Sequence, residues 1–263
     1  MTFPLPDGLP AGRLTGTPDG TPVMWCSERP PADPLAAWTG HQRQQAATGL
    51  LPVLCYSDVR PAPFDPAEVD AFDLEAELAE NWAEYRRRRF AEPDVPPEPF
   101  DCPEDVEPWE DDPGPPFEQW PGLAPATLPG SGVDPDEAAR AAFAQLVDDD
   151  PYTLTEACLG LVAAARSADI PALLDWYGGA PKTLLCALLR SWEDRFGARV
   201  LTLVGATLYV SVASPPRTLE QAERVALEHL LTTADNIVDD PPTPFPRYAQ
   251  SLVGAPLWRF WWD

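Results

Sequence analysis

A proline-rich, acidic segment in the middle of the chain constrains its fold more than any other feature. Residues 91–135 contain 13 prolines and 12 acidic residues but no lysine or arginine. A segment of this composition buries too little apolar surface to form a domain alone. Four aromatic residues nevertheless lie within it, namely Phe100, Trp109, Phe117 and Trp120. We therefore predict a largely extended linker that lies across the folded part through these aromatics, with a disordered acidic recognition segment as the alternative.

The first 90 residues carry the patterns of a small α/β element. Two short β segments flank a turn at residues 17–20, where a proline and a glycine suit the turn geometry. Residues 49–56 form an apolar run typical of a strand, and Pro52 within it indicates an edge position or a late start of the strand. Residues 65–90 begin with a capping pattern and carry an apolar stripe, which predicts one long helix.

The last part of the chain alternates between strand and helix patterns more regularly. A capping pattern at residues 134–137 opens a helix that we expect to end near Val147. The elements predicted after it are strand 159–164, helix 170–177, helix 182–196, strands 199–204 and 207–213, a helix after Thr218, a helix at 248–253 and a terminal strand at 257–263.

These patterns predict an α+β fold, with a mostly antiparallel sheet and helices packed on one face. The sequence divides into an N-terminal α+β region (1–90), the proline- and acid-rich linker (91–135) and a C-terminal α+β domain (136–263). We expect the smaller N-terminal element to pack on the C-terminal domain, because so small a region with several tryptophans needs a surface to cover.

The charge of the chain excludes some classes of partner. The formal net charge is −24, from 18 basic and 42 acidic residues. This balance argues against direct contact with nucleic-acid phosphates and against anionic membrane surfaces. It permits a basic protein partner attracted over long range, or it simply maintains solubility. Lys182 is the single lysine, and such a bias toward arginine is typical of a GC-rich bacterial genome.

Cysteine and histidine usage indicates neither a metal site nor a cofactor. The five cysteines are widely spaced and form no C-x-x-C pair, and only two histidines are present, His41 and His229. The first residues lack the basic start and apolar run of a secretory signal, and no apolar run is long enough to span a bilayer. We therefore expect a cytoplasmic protein with free thiols.

The only candidate catalytic set lies around the predicted helix that follows Thr218. His229 is the one plausible histidine base, with Glu228, Asp235 and Asn236 near it in sequence. His229 also lies on the apolar stripe of its helix, as a buried structural histidine does. Glu228 and His229 are adjacent on a helix, so their side chains diverge. A structural role for His229 is therefore the competing interpretation.

The aromatic residues supply the candidate partner surface. Trp258, Trp261, Trp262 and Asp263 end the chain, and large aromatics are common at the centre of protein interfaces. Trp109 and Trp120 in the linker are further candidates. The alternative for the terminal tryptophans is a core strand, because Trp258 and Trp262 fall on one face of an alternating pattern.

A set of ordered motifs resembles a known family. The motifs are Arg190-Ser191-Trp192-Glu193-Asp194-Arg195-Phe196-Gly197, Ser211-Val212-Ala213 with Pro215-Pro216, Ala226-Leu227-Glu228-His229, Asp235-Asn236-Ile237 and Phe260-Trp261-Trp262-Asp263. Residues 155–263 thereby resemble the uncharacterised bacterial family catalogued as domain of unknown function 4253. The resemblance implies a shared fold for this part and transfers no established activity.

One motif departs from the pattern typical of that family. Members read E-H-x-x-F-C-P-D-N where this chain has residues 228–236, so Thr233 stands in place of a cysteine and Ala234 in place of a proline. A Cys–His couple, if the family used one, would lack its nucleophile here. This departure lowers the expectation of catalysis.

The leading functional hypothesis is a non-enzymatic protein-interaction module, immunity-like or regulatory, with an acidic surface for a basic partner. The alternative is a hydrolase-type enzyme with a site around His229, Asp235 and Asn236. A second alternative is nucleic-acid mimicry by the acidic surface. Patterns in one chain leave the oligomeric state open.

Overall fold

The computed structural model describes residues 3–91, 112–127, 133–176, 180–238 and 243–263. The strands are β1 (Gly12–Gly16), β2 (Pro22–Ser27), β3 (Leu50–Cys55), β4 (Cys158–Ala163), β5 (Ala198–Val204), β6 (Thr207–Val212) and β7 (Leu257–Trp261). The helices are α1 (Pro34–Gln42), α2 (Gln45–Thr48), α3 (Pro66–Asp70), α4 (Leu74–Arg89), α5 (Pro135–Asp149), α6 (Pro151–Leu154), α7 (Ile170–Leu173), α8 (Lys182–Phe196), α9 (Leu219–Leu230), α10 (Asp235–Val238) and α11 (Phe245–Ser251).

In the described part of the chain, the strands form one seven-stranded sheet in the order β1-β2-β4-β3-β5-β6-β7. Every neighbouring pair is antiparallel except β3 and β5, which are parallel. The predicted α+β class with a mostly antiparallel sheet is confirmed. Strand β3 comes from the N-terminal region and lies between β4 and β5 of the C-terminal region, so residues 1–90 and 136–263 contribute to one shared sheet.

Helices cover both faces of this sheet. The larger layer contains α4, α8 and α9, which share one apolar core. It corresponds to the single layer of helices predicted from the sequence. A smaller layer, with α1 and α5, covers the opposite face, where Trp38 stacks on Phe143 at 4.8 Å between ring centroids. The second layer is needed because every residue of β3 and β6 is buried, which leaves no face of these strands for water.

The N-terminal region differs from its predicted elements in two places. The helix expected over 65–90 is two helices, since the Asp73 side chain accepts a hydrogen bond from the Ala76 N–H and starts α4 anew. Strand β3 is interior, not an edge strand as Pro52 suggested. Its pairing with β5 involves only Leu54 and Cys55, so Pro52 lies before that pairing begins.

Only some later elements agree closely with their patterns: α7 ends at Leu173 instead of 177, α11 spans Phe245–Ser251 instead of 248–253, and α6 and α10 were not predicted. Helix α8 has the predicted bounds and ends at Gly197, which adopts the left-handed conformation at φ +64°. The hairpin of β5 and β6 turns at Gly205, also at positive φ. Among the described residues, no helix combines the length and apolar character needed to cross a membrane.

The second part of the predicted linker lies across the folded core. Residues 112–127, called the strap below, contain no helix or strand. Phe117, Trp120 and Leu123 of the strap are half-buried and pack against the core of the larger helical layer. The extended, aromatic-anchored path predicted for the linker therefore holds for the strap. Phe100 and Trp109 lie outside the described residues.

Candidate functional site

The end of α9 places two polar residues in the centre of the core. Thr218 caps this helix by accepting a hydrogen bond from the Gln221 N–H, and an apolar face directs the helix onto the sheet. Glu228 and His229 lie near its last turn and are both fully buried. Buried polar groups of this kind need partners, and the two residues find different ones.

Glu228 accepts four hydrogen bonds within the core. Arg195 of α8 donates to both carboxylate oxygens, from Nη1 to Oε1 at 2.9 Å and from Nη2 to Oε2 at 2.7 Å. The Trp192 indole donates to Oε2 at 2.7 Å, and the Ala124 backbone N–H of the strap donates to Oε1 at 2.7 Å. A bidentate arginine and two neutral donors together saturate a buried carboxylate.

The same ion pair binds both polar groups of one strap residue. Glu228 accepts a hydrogen bond from the Ala124 N–H, and Arg195 Nη1 donates one to the Ala124 carbonyl oxygen at 2.7 Å. We call Arg195 and Glu228 the clamp. It fixes the extended backbone at Ala124, whose exposed fraction is 1 %, without contacting any distinctive side chain.

His229 lies beside the clamp in an aromatic cage. The ring centroids of Trp192, Trp258 and Phe260 lie 4.5–4.9 Å from the imidazole, and Nδ1 is 2.9 Å from the Tyr248 hydroxyl oxygen. Burial, with a smaller contribution from the positive charge of Arg195, holds the pKa of His229 well below its usual range. The imidazole is therefore neutral and shielded from solvent, which removes it as a general base for a substrate arriving from water.

The other candidate catalytic residues do not join His229 in one arrangement. Asp235 begins α10, and its Oδ2 accepts a hydrogen bond from the Asp263 backbone N–H at 2.5 Å. The side chain of Asn236 lies outside the described residues. Glu228 and His229 thus share Trp192 as a contact but do not bond to each other, and Asp235 is held elsewhere by the Asp263 backbone.

The terminal tryptophans predicted as a partner surface lie mainly in the core. Trp258 and Trp262 are 1 % and 4 % exposed, which corrects their assignment to an exposed interface and agrees with the alternative of a core strand. Trp261 is half-buried and Asp263 is exposed. Trp120 packs against the core through the strap, and Trp109 lies outside the described residues.

The thiols are free where the structure describes them. Cys26, Cys55, Cys158 and Cys186 are buried and unpaired, and Cys102 lies outside the described residues. Burial raises the pKa of Cys186 to about 12, and hydrogen bonding with Cys26 together with burial raises the pKa of Cys55. In the described ranges, no group of three or more histidine, cysteine and acidic side chains has the geometry to hold a metal ion.

The residues that bind the strap were missed by reasoning from the sequence. Arg86, Arg195, Gln221 and Arg224 all donate to strap carbonyl oxygens. The one available signal for Arg195 was that it lies, with Trp192, in the family motif of residues 190–197. No local sequence pattern indicates this role for Arg86, Gln221 or Arg224, because their acceptors lie in a distant segment without regular structure.

Comparison with known proteins relates only the C-terminal part of the chain to others. No curated protein and no solved structure matches the chain. The matched region contains β4 to β7 and both clamp residues. Residues 158–263 match the family model described as Domain of unknown function (DUF4253), which confirms the resemblance inferred from the motifs.

Proposed function

We propose that this protein is a non-enzymatic interaction module of the bacterial cytoplasm, immunity-like or regulatory, whose acidic surface binds a basic protein. The acidic residues of α3 and α4 carry this proposal. From residue 61 to residue 85 the sequence has no lysine or arginine. The exposed acids of this stretch, called the acidic face below, are Asp65, Glu68, Asp70, Asp73, Glu75 and Glu80.

The acidic face is suited to attracting a cationic surface. Two of its members act as helix caps, Asp65 at the start of α3 and Asp73 at the start of α4, and Asp70 pairs with Arg190 at 2.6 Å. Glu68, Glu75 and Glu80 remain exposed to solvent. Together with the net charge of −24, they produce a negative potential that accelerates encounter with a basic partner.

The surroundings of the catalytic candidates also favour a non-enzymatic role. Glu228 is saturated by Arg195 and two further donors, and His229 is neutral within its cage. A carboxylate and an imidazole held in this way stabilise a core. Neither is free to transfer a proton to a bound substrate.

Affinity capture at two salt concentrations tests the proposal. The tagged protein is compared with a Glu75→Gln/Glu80→Gln variant of the acidic face. A matched control, Glu137→Gln/Asp148→Asn, removes the same charge from α5, which covers the opposite face of the sheet. We expect a basic protein to be retained by the native chain and the control at low salt, to be lost by the acidic-face variant and to be released as salt rises.

Two results would overturn the proposal. One is a companion protein that binds more tightly as salt is raised, because charge-steered association weakens under screening. The other is equal retention by the native chain and both variants. In that case the acidic face would take no part in binding.

A further inference from the structure

The strap is held in two ways, by hydrogen bonds to its backbone carbonyl oxygens and by packing of Phe117, Trp120 and Leu123 against the core. Side chains of α4, α8 and α9 donate hydrogen bonds to its carbonyl oxygens along most of its length. The bonds are Arg89 to Asp112, Arg86 to Phe117 at 2.9 Å, Arg224 to Pro121 at 3.1 Å, Arg195 to Ala124 at 2.7 Å and Gln221 to Pro125 at 2.7 Å. We call the surface formed by these donors the strap groove.

Such contacts select an extended, acceptor-rich backbone. Proline has no N–H, so a proline-rich segment presents carbonyl oxygens with few donors of its own to satisfy. The strap has prolines at 113, 115, 116, 121 and 125, and the groove supplies guanidinium and amide donors at matching points. Proline-rich ligands bind in this way in grooves lined by aromatic residues, because their extended backbone is already formed.

Aromatic residues of α4 line one end of the strap groove. The rings of Trp82 and Tyr85 stack at 5.4 Å beside Pro115, Pro116 and Phe117 of the strap. The indole N–H of Trp82 is buried without a hydrogen-bond partner among the described residues, and so is that of Trp120 in the strap. Trp82 lines the same cavity as Pro115 and Phe117, and its indole donates no hydrogen bond to the strap there.

The packing along the strap is open at both ends. A cavity of about 180 Å³ separates it from Trp82, Tyr85 and Phe90, and one of about 420 Å³ lies between residues 123–127 and the start of α9. Much of the strap is half-buried or exposed, although Ala124 at the clamp is buried. A segment that lacks helix or strand and is anchored only at separate points between two cavities is suited to exchange.

The groove and the strap differ in charge and in their position relative to the family-matching region. Arg195 and Arg224 pair with Glu228 and Glu220, and Arg86 and Arg89 add further positive charge at the α4 end of the groove. The clamp, Gln221 and Arg224 all lie within the family-matching residues 158–263, whereas the strap lies outside them. The family region therefore provides much of a receptor whose ligand comes from elsewhere in the chain.

We infer that the strap groove is a binding site for an extended, proline-rich, non-basic segment of a partner protein, and that the strap is its resident occupant. The partner segment places two aromatic residues three positions apart, as Phe117 and Trp120 are, and one backbone residue in the clamp. This surface and its partner are independent of the acidic face and its basic partner.

The resident strap competes with any peptide added from outside. A tethered segment acts at an effective concentration of about 1 mM, so the native chain takes up an external peptide weakly. The test therefore weakens the strap and leaves the groove unchanged. The variant is Phe117→Ser/Trp120→Ser, and the probe is a fluorescent synthetic peptide with the native sequence of residues 112–127.

We expect the weakened variant to bind this peptide roughly 100-fold more tightly than the native chain does, by fluorescence anisotropy. A peptide carrying the same two serines should not bind. Adding Arg86→Ala should weaken binding about tenfold through loss of the bond to the Phe117 carbonyl. Adding Arg87→Ala should not, because Arg87 is an exposed neighbour that pairs with Glu84 on the same helix.

The inference is overturned if the folded variant takes up no peptide, or takes up both peptides equally. If the variant fails to fold, the native strap is released instead by protease sites inserted within residues 92–111 and 128–132. The cut protein should then exchange its strap fragment for the labelled peptide within hours. Retention of the fragment without exchange over a day, in cut protein that remains folded, would equally overturn it.

Discussion

Glu228 and His229 are neighbours on α9, yet their partners in the core differ in kind. Glu228 has an arginine as its main partner, whereas aromatic rings surround His229. Glu228 is compensated by a bidentate arginine and two neutral donors. His229 contacts the Tyr248 hydroxyl and aromatic rings, and its burial, with the nearby charge of Arg195, favours the uncharged imidazole by lowering its pKa. Because adjacent side chains on a helix point about 100° apart, one turn can hold a charged group and a neutral one among different partners, although Trp192 contacts both.

The neutral state of His229 makes stability depend on pH. Its folded pKa lies well below 6.5, so the unfolded chain takes up a proton at this residue below pH 6.5 and the folded chain does not. The contribution of His229 is therefore present above pH 6.5 and is lost as pH falls toward the folded pKa, by about 1.4 kcal/mol per pH unit. Urea unfolding of the native chain and His229→Gln at pH 7.5, 6.5 and 5.5 measures it.

The control for this experiment is His41→Asn. Burial also lowers the pKa of His41, but that residue is only half-buried, so its variant should keep most of the native slope below pH 6.5. His229→Gln should lose most of it. Equal slopes in the native chain and His229→Gln would show that the imidazole is protonated in the folded state.

Reasoning from the sequence reached His229 but not its neighbour. The apolar stripe of α9 placed His229 toward the core. The burial of Glu228 was hidden, because its compensating partners Arg195 and Ala124 lie 33 and 104 residues away. A buried charged residue needs partners that only the complete fold brings together. Local sequence patterns therefore do not predict its burial.

Elements with strong local signals were predicted well, and those set by their neighbours were not. Helix α8 has an amphipathic stripe and a stop at Gly197, and both its bounds are correct. Strand β3 was predicted as an edge because of Pro52. Its interior position depends on β4 and β5, which follow roughly 100 and 150 residues later in the sequence.

The packing of β3 against β4 predicts the effect of one added methyl group. A Cβ at Gly160 of β4 would lie 2.9 Å from Met24 Sδ, 3.1 Å from Val53 Cγ1 and 3.3 Å from Cys55 Sγ. Gly160→Ala should therefore overpack this part of the core and lower the free energy of unfolding by about 1–3 kcal/mol. Urea denaturation followed by circular dichroism measures the change.

A glycine in open surroundings is the matched control. Gly40 in α1 has no atom within 4 Å of an added Cβ, so Gly40→Ala should raise stability by about 0.5–1 kcal/mol through the better helix propensity of alanine. Effects of opposite sign at the two glycines are expected. A neutral or stabilising Gly160→Ala would mean that the core above β4 is less tightly packed than the structure shows.

At the scale of the whole molecule, two distant stretches of chain complete one sheet. The fold class followed from the sequence because each element could be recognised separately. The order of the strands did not follow from the sequence, because it depends on which strands must pair along both edges. Residues 91–135 looked like a boundary between two units, although the strands on either side of them join.

The shared sheet predicts that two separate chains will assemble. Residues 1–91 and 112–263, produced together without the segment between them, should form a one-to-one complex with a single cooperative melt. Residues 112–263 alone lack the strand between β4 and β5 and should not melt cooperatively. Size-exclusion chromatography with light scattering and thermal denaturation measure both properties. A monomeric, cooperatively melting 112–263 fragment would contradict this prediction.

The interior position of β3 also sets the order of events during synthesis. Its parallel neighbour β5 leaves the ribosome roughly 150 residues after it, which takes about 7–30 s at typical rates of translation. Over that interval the apolar run Leu50–Cys55 has no completed sheet to enter. The nascent chain therefore presents a hydrophobic strand that lacks its β5 neighbour for many seconds, and we expect chaperones that hold such segments to bind it until β4 and β5 arrive.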